Sequence, residues 1–304
     1  MFRMQIQSKK KCIWYCSAAV SFLLFLLLNL WCDHLVNMQD AQQMAGRWSE
    51  KKDVAQISCF FSSKAEVTED TIQSFEYSLK NVLQEASITE TSENPSARLW
   101  VDAYSADGKI TLVNGRNKLD ANAIGIGGDF FLFHPLKLIT GSYFSGNDLM
   151  QDYCIIDQDA AWQLFGSNDV VGMTVYIGNV PHIVTGVVRR PQGRMEKAAG
   201  LTSTVVYVSY ETLETYGTSN GINHYEIVMP NPVDGFAYGK VKEGIGIDEK
   251  NVEIVENSRR YSLPNRMKTV LAFGTRSMNG KAIIYPYWEN LARGYEDIIA
   301  LLTV

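Results

Sequence analysis

The chain carries four histidines, His34, His134, His182 and His224, and five cysteines. Imidazoles and thiolates hold transition metals, or act as base and nucleophile, when two or more of them share one turn or one knuckle. The spacings that bring this about, H-x₃-H, H-E-x-x-H and C-x-x-C, are absent. There is no G-x-S-x-G elbow and no Walker A loop. Ala123-Ile124-Gly125-Ile126-Gly127-Gly128 is glycine-rich, but its spacing is not that of a dinucleotide loop, and flexible or bulged strand backbone accounts for it. Asp148, Asp152, Asp157 and Asp159 crowd together without a calcium-loop pattern, so turn and cap roles suffice. Thr68, Glu69 and Asp70 read as a helix cap. The sequence nominates no catalytic, cofactor-binding or metal-ligating residue, and the expectation is a protein that is not an enzyme and needs no cofactor.

The elements around these residues begin with a membrane anchor. Residues Ile13 to Cys32 read IWYCSAAVSFLLFLLLNLWC, 20 residues without a charge. As a helix they span roughly 30 Å, the thickness of a bilayer's hydrocarbon core. Arg3 and Lys9-Lys10-Lys11 precede the run and Asp33 follows it, which places the N-terminus in the cytoplasm and the bulk outside. Trp14, Tyr15 and Trp31 stand where aromatic belts belong. The run is too long for a signal peptide's apolar region and no small-x-small cleavage site follows, so an uncleaved anchor is expected. Bulky Trp31 before Cys32 argues against a lipoprotein signal. The net charge of −5 argues against a nucleic-acid partner. Outside the anchor region only Cys59 and Cys154 remain. A disulfide between them is one reading, and two buried free thiols, favoured by the low cysteine density, is the other.

Residues 33–52 are polar and helix-compatible, a stalk extending the anchor. Val54–Phe61 reads as a strand. In the next segment Ile72, Phe75, Leu79, Val82, Leu83 and Ala86 fall at offsets 3, 7, 10, 11 and 14, one face of a helix. Val67 and Ile72 sit at the positions of a hydrophobic staple, and a strand follows at Arg98–Tyr104. A second β-α-β unit comprises Tyr225–Met229, a short helix with Val233, Phe236, Ala237 and Val241, and Val252–Val255. The stretch between is β-rich. In it Asp157 caps a helix that Gly166 ends, and Gly178-Asn179 turns a hairpin between Thr174–Ile177 and His182–Val188. The expected fold is α+β: 1–12 cytoplasmic, 13–32 transmembrane, 33–52 stalk helix, 53–119 with 216–260 a split ferredoxin-like β-α-β lobe, 120–215 an inserted β-rich lobe, and 261–304 a segment returning to the membrane.

Four short patterns occur in order: Gly141-Ser142-Tyr143-Phe144; Ala160-Ala161-Trp162-Gln163-Leu164-Phe165-Gly166; Asp169-Val170-Val171-Gly172; and Val184-Thr185-Gly186-Val187-Val188. Together they resemble the MacB-type periplasmic core domain of ABC-transporter permeases, of the MacB/FtsX-like family, over roughly residues 40–290. Local physics explains them as turns and core rather than chemistry. Near the end, Tyr285–Arg293 is aromatic-rich and suits a membrane surface, and Ile298–Leu302 could begin a second span.

The resemblance implies a non-catalytic extracytoplasmic domain that couples ATPase-driven motion to export or to envelope signalling. The partners it implies are a cytoplasmic ATPase subunit, a second permease half in a homo- or heterodimer, membrane lipid and, as a further candidate, an extracytoplasmic protein. The alternative from another class is a membrane-tethered sensor or adaptor that binds an extracytoplasmic ligand or protein. An anchored cell-wall enzyme comes third.

Overall fold

The computed structural model describes residues 2–49, 53–89, 98–273 and 283–304. Its first helix, α1 (Phe2–Asn37), runs through the apolar stretch, and Trp14–Asn37 is long and apolar enough to cross a membrane. The expected stalk helix over 33–52 is continuous only to Asn37. There the side chain of Gln43 donates to the Val36 carbonyl at 2.5 Å and that of Gln39 to the Leu35 carbonyl at 3.4 Å. Side chains thus take the carbonyls a further turn would have used. A 3₁₀ turn at Asp40–Gln42 and a short helix, α2 (Met44–Trp48), lead on to strand β1 (Val54–Phe61).

Helix α3 (Glu69–Glu85) begins at the expected cap, where Thr68 and Thr71 form a reciprocal capping box, and it buries Ile72, Phe75, Leu79 and Leu83. Strand β2 (Val101–Asn114) is longer than Arg98–Tyr104 and starts later; it turns into β3 (Asn117–Gly128). The glycine-rich run is therefore the end of a regular strand. A Cβ on Gly125 would come within 2.8 Å of the Leu213 side chain, and one on Gly127 within 2.0 Å of the Tyr104 ring. These glycines permit close packing across the strand.

The chain continues through α4 (Phe130–Phe133), β4 (Leu138–Gly141), β5 (Tyr153–Asp157), α5 (Gln158–Phe165), β6 (Thr174–Ile177) and β7 (Val180–Val188). Asp157 accepts the Ala160 N–H at 2.8 Å, and Gly166 ends α5 at φ 72°. Then come α6 (Arg194–Ala198), β8 (Val205–Ser209), α7 (Tyr210–Tyr216), β9 (Thr218–Ser219), β10 (His224–Pro230), α8 (Phe236–Gly244), β11 (Val252–Glu256), α9 (Leu263–Leu271) and α10 (Tyr287–Thr303).

The eleven strands of the described residues belong to one mixed sheet; nine run in the order β11-β1-β10-β2-β3-β8-β5-β7-β4, and β6 and β9 pair off this path, β9 with β2. β6 pairs with both β7 and β2, so the pairing β2-β3-β8-β5-β7-β6 returns to β2 and closes a small barrel. Leu112, Ala123, Ile156, Val175, Val184 and Val206 fill the same core that runs out beneath α3 and α8. The two β-α-β units meet in the open part of the sheet, where β1 lies antiparallel between β10 and β11.

Candidate functional site

Strands β1 and β10 are buried on both faces. One face is apolar: Ile57, Cys59, Tyr225, Ile227 and Met229 pack into the core under α3 and α8. The other carries a polar stripe. The register sets Gln56 opposite Val228, Ser58 opposite Glu226 and Phe60 opposite His224. Side chains alternate faces along a strand, so Gln56, Ser58, His224 and Glu226 all point to this second face, and each is at most 1% exposed.

Glu226 is the centre of the stripe. Its Oε1 accepts the Ser58 hydroxyl at 2.6 Å, and Ser58 Oγ in turn accepts from Asn257 Nδ2 at 2.7 Å. Its Oε2 lies 2.6 Å from Nε2 of His134, the residue that ends α4, and its Oε1 lies 3.6 Å from Nε2 of His224. The 2.6 Å contact is an ion pair, and among the described residues Glu226 Oε2, His134 Nε2 and His224 Nε2 have no regularly aligned hydrogen-bond partner. Burial alone would raise the carboxyl pKa, but the two imidazoles, His134 foremost, hold Glu226 well below the usual carboxylate range. Burial pushes the His134 imidazole down, outweighing the pull of Glu226. Phe60 stacks on His224, and Trp288 of α10 covers both imidazoles, 4.3 Å from the His134 ring and 5.3 Å from that of His224.

From Asn257 the polar chain continues into α10. Arg260 Nη1 donates to Asn257 Oδ1, and its Nη1 and Nη2 grip both oxygens of Glu289 at 2.7 and 2.8 Å, while Nε reaches Glu296 at 2.5 Å. Burial would lower the Arg260 pKa, but Glu289 and Glu296 hold it well above its ordinary value. Arg293 then ties Glu289 to Glu253 of β11. On the other flank, Gln56 accepts the Met44 N–H at 2.8 Å and donates to the Ala41 carbonyl at 2.7 Å, and Arg47 donates to the carbonyls of Leu132 and Phe133. The segment leaving α1 and the helix α10 are thus fastened to one face of the same strand pair, and α1 and α10 also contact each other.

The other residues singled out in the sequence lie elsewhere. His34 is exposed on α1. His182 faces Thr212 at 3.2 Å. Asp157 caps α5 and also accepts from Arg190 and the Val205 N–H, Asp159 shares Arg190, and Asp148 accepts the Ser145 N–H. Cys59 and Cys154 are buried free thiols whose pKa values burial raises, that of Cys154 to about 12. The sequence reading passed over Glu226, Gln56, Arg260 and Glu289. Acidic or amide side chains pointing into a face otherwise closed by aromatic rings were the available signal.

The family model for the MacB-like periplasmic core domain matches residues 38–254. The chain belongs to this family. Among curated relatives, the macrolide export ATP-binding/permease protein MacB of Chromobacterium violaceum is 31% identical over 130 residues, which is 42% of this chain and 19% of that protein. The protein of the same name from Pasteurella multocida is 31% identical over 80 residues, 26% of this chain and 12% of that one. The chain thus spans about a fifth or less of these relatives' length. Of solved structures, the periplasmic region of MacB from Actinobacillus actinomycetemcomitans aligns with 67% of this chain and 89% of its own, at 20% identity and a TM-score of 0.43. The extracellular domain of the noncanonic ABC-type transporter YknZ from Gram-positive bacteria aligns with 66% of this chain and 99% of its own, at 19% identity and a TM-score of 0.43. The motifs that carried the resemblance serve this MacB-like fold: Phe144 packs edge-on to Phe131, Leu164 is buried, and Gly166 and Gly172 turn the chain at positive φ.

Proposed function

We propose that the chain is the first membrane helix and the extracytoplasmic domain of an ABC-type transporter permease. In this reading it is non-catalytic and passes motion between the membrane and the outside. The observation that carries the proposal is the shared attachment of both membrane-side elements. Gln56 of β1 holds the segment after α1 at Met44 and Ala41, and Arg260, tied through Asn257 to Ser58 on the same buried face of β1, holds α10 at Glu289. A packed interior transmits displacement rather than absorbing it, so a shift of α1 against α10 would load this strand pair. The names of the relatives support export as the purpose and an ATPase as the source of motion; a second permease half would complete the pair. We read 53–119 with 216–260 as the lobe that receives the motion and 120–215, which closes the barrel together with β2 and the start of β3, as the lobe that delivers it. The long β2 and β3 strands are shared between the two. The basic residues that precede the apolar run within α1 put its N-terminus in the cytoplasm.

A flexible Gly/Ser insertion between Met44 and Val54 in the complete transporter tests the coupling. Nucleotide hydrolysis should persist while export falls sharply, with the fold intact by thermal melting. Export at the wild-type level would exclude mechanical coupling through this segment and put a tethered binder in its place.

A further inference from the structure

We propose that His134, His224 and Glu226 form a binding site for a divalent transition-metal cation, zinc in the first instance, sealed beneath the first turn of α10.

Three buried potential ligand atoms, one from each residue, lie within 4.8 Å of one another. Among the described residues, His134 Nε2, His224 Nε2 and Glu226 Oε2 have no regularly aligned hydrogen-bond partner. A poorly paired polar atom in an interior is costly, so a partner shared by all three would stabilise this place. A direct histidine–carboxylate pair is the simple alternative and joins His134 to Glu226 at 2.6 Å, but it leaves His224 Nε2, 3.6 Å from Oε1, without a close partner among the described residues. A cation satisfies all three at once. Four-coordinate zinc with bonds of about 2.0–2.1 Å separates its ligands by about 3.3 Å. His134 Nε2 stands 2.6 Å from Oε2, closer than that value, and His224 Nε2 stands 3.6 Å from Oε1, so the side chains must rotate to bring all three donors onto one ion.

The surroundings are those of a ligand set held in place from behind. Nδ1 of His224 lies 3.3 Å from Ser105 Oγ, which leaves Nε2 facing Glu226. Ser58 occupies Glu226 Oε1, leaving Oε2 free, and Asn257 holds Ser58. Such outer hydrogen bonds fix the orientation of metal ligands. Two imidazoles and one carboxylate suit zinc and its neighbours, whereas magnesium and calcium require oxygen cages. Phe60, Phe130 and Trp288 supply a dry aromatic wall. The ion would join the β10 strand to the end of α4 directly under Trp288, so its presence would tighten the seat of α10.

The full chain, purified in detergent without a histidine tag and stripped with a chelator, is dialysed against zinc. One zinc per chain by elemental analysis, and a raised unfolding temperature, are expected. In Glu226→Gln and His224→Gln the affinity should fall by about 100-fold or more, at least the range seen for outer-shell losses. His182→Gln should leave it unchanged. Should the Gln variants fail to fold, the cobalt(II) form of the wild type decides. Intense four-coordinate visible bands support the site, and weak six-coordinate bands overturn it. Absence of stoichiometric zinc in the folded wild type, or zinc held equally by folded Glu226→Gln, also overturns it.

Discussion

Phe75 is 3% exposed and meets the Tyr225 ring edge-on at 5.7 Å, so it links α3 to β10 through the centre of the core. Its replacement by Ala should cost roughly 3–5 kcal/mol, which for a domain of this size lowers the unfolding midpoint by roughly 6–20 °C. A drop of under 2 °C in circular dichroism melts would show that this face is not a core. The neighbouring Glu76 behaves differently. Burial, then the charge of Asp102, raises its pKa from an ordinary 4.5 to about 8, and Asp102 itself accepts the Tyr225 hydroxyl at 3.0 Å. A carboxyl that holds its proton more tightly when folded stabilises the fold at low pH, and the contribution is lost between about pH 4.5 and 8. Glu76→Gln should therefore gain on the wild type in melts as pH rises from 5 to 8. A gap between the two that does not change with pH would disprove the linkage. Phe75 was legible in the sequence because its neighbours repeat at helical spacing. His134, His224 and Glu226 were not: two residues apart on one strand, His224 and Glu226 show only the ordinary alternation of a strand, and the tertiary packing of the end of α4, which no local spacing encodes, brings His134 to them.

Among the elements, α10 shows what local patterns conceal. The sequence reading separates an aromatic stretch at Tyr285–Arg293 from an apolar one at Ile298–Leu302. One helix contains nearly all of both, and it buries Trp288, Glu289, Ala292, Tyr295, Ile299 and Ala300 on a single face. A glutamate on that face looks out of place until Arg260 is set against it. The glycine-rich end of β3 was equally opaque, since its glycines answer to Leu213 and Tyr104, residues far off in sequence. The cap and face of α3 could be read because they are local. The attachment of α10 can be tested by its asymmetry. Glu289 has 1% of its side chain exposed and faces both Arg260 and Arg293, whereas Arg293 has 19% exposed. Glu289→Ala leaves a buried guanidinium without its main partner and should cost roughly 3–5 kcal/mol. Arg293→Ala leaves the Arg260–Glu289 grip intact and removes charge-assisted bonds from a partly exposed arginine, so it should cost less, about 1–3 kcal/mol. Equal losses in thermal unfolding would mean that the pair does not hold the helix.

At the scale of the whole molecule, the barrel and the open sheet are one hydrogen-bonded body, because β2 and β3 belong to both. Val101, at the start of β2, pairs with Val228 beside the polar stripe, and the other end of β2 turns at Gly115-Arg116. Fourteen residues of strand extend over roughly 45 Å, so the turn lies far from the face on which α1 and α10 are fastened. If the basic N-terminus keeps the start of α1 in the cytoplasm, the turn must stand well outside the membrane. Arg116 is exposed, Cys59, Cys154 and Cys32 are buried, and Cys16 lies within the apolar span. With the fifth cysteine, Cys12 beside the basic cluster, replaced by Ser, an Arg116→Cys substitution therefore gives a reporter with little native background. A membrane-impermeant maleimide added to intact spheroplasts should label this variant to the same extent as after lysis. A cysteine placed at Ser8, on the basic side of the span, should label only once the membrane is broken. Labelling of the Ser8 variant in intact spheroplasts, with Arg116→Cys protected, would invert the orientation. The barrel would then face the nucleotide-hydrolysing side, and a role in carrying motion outward would be lost with it.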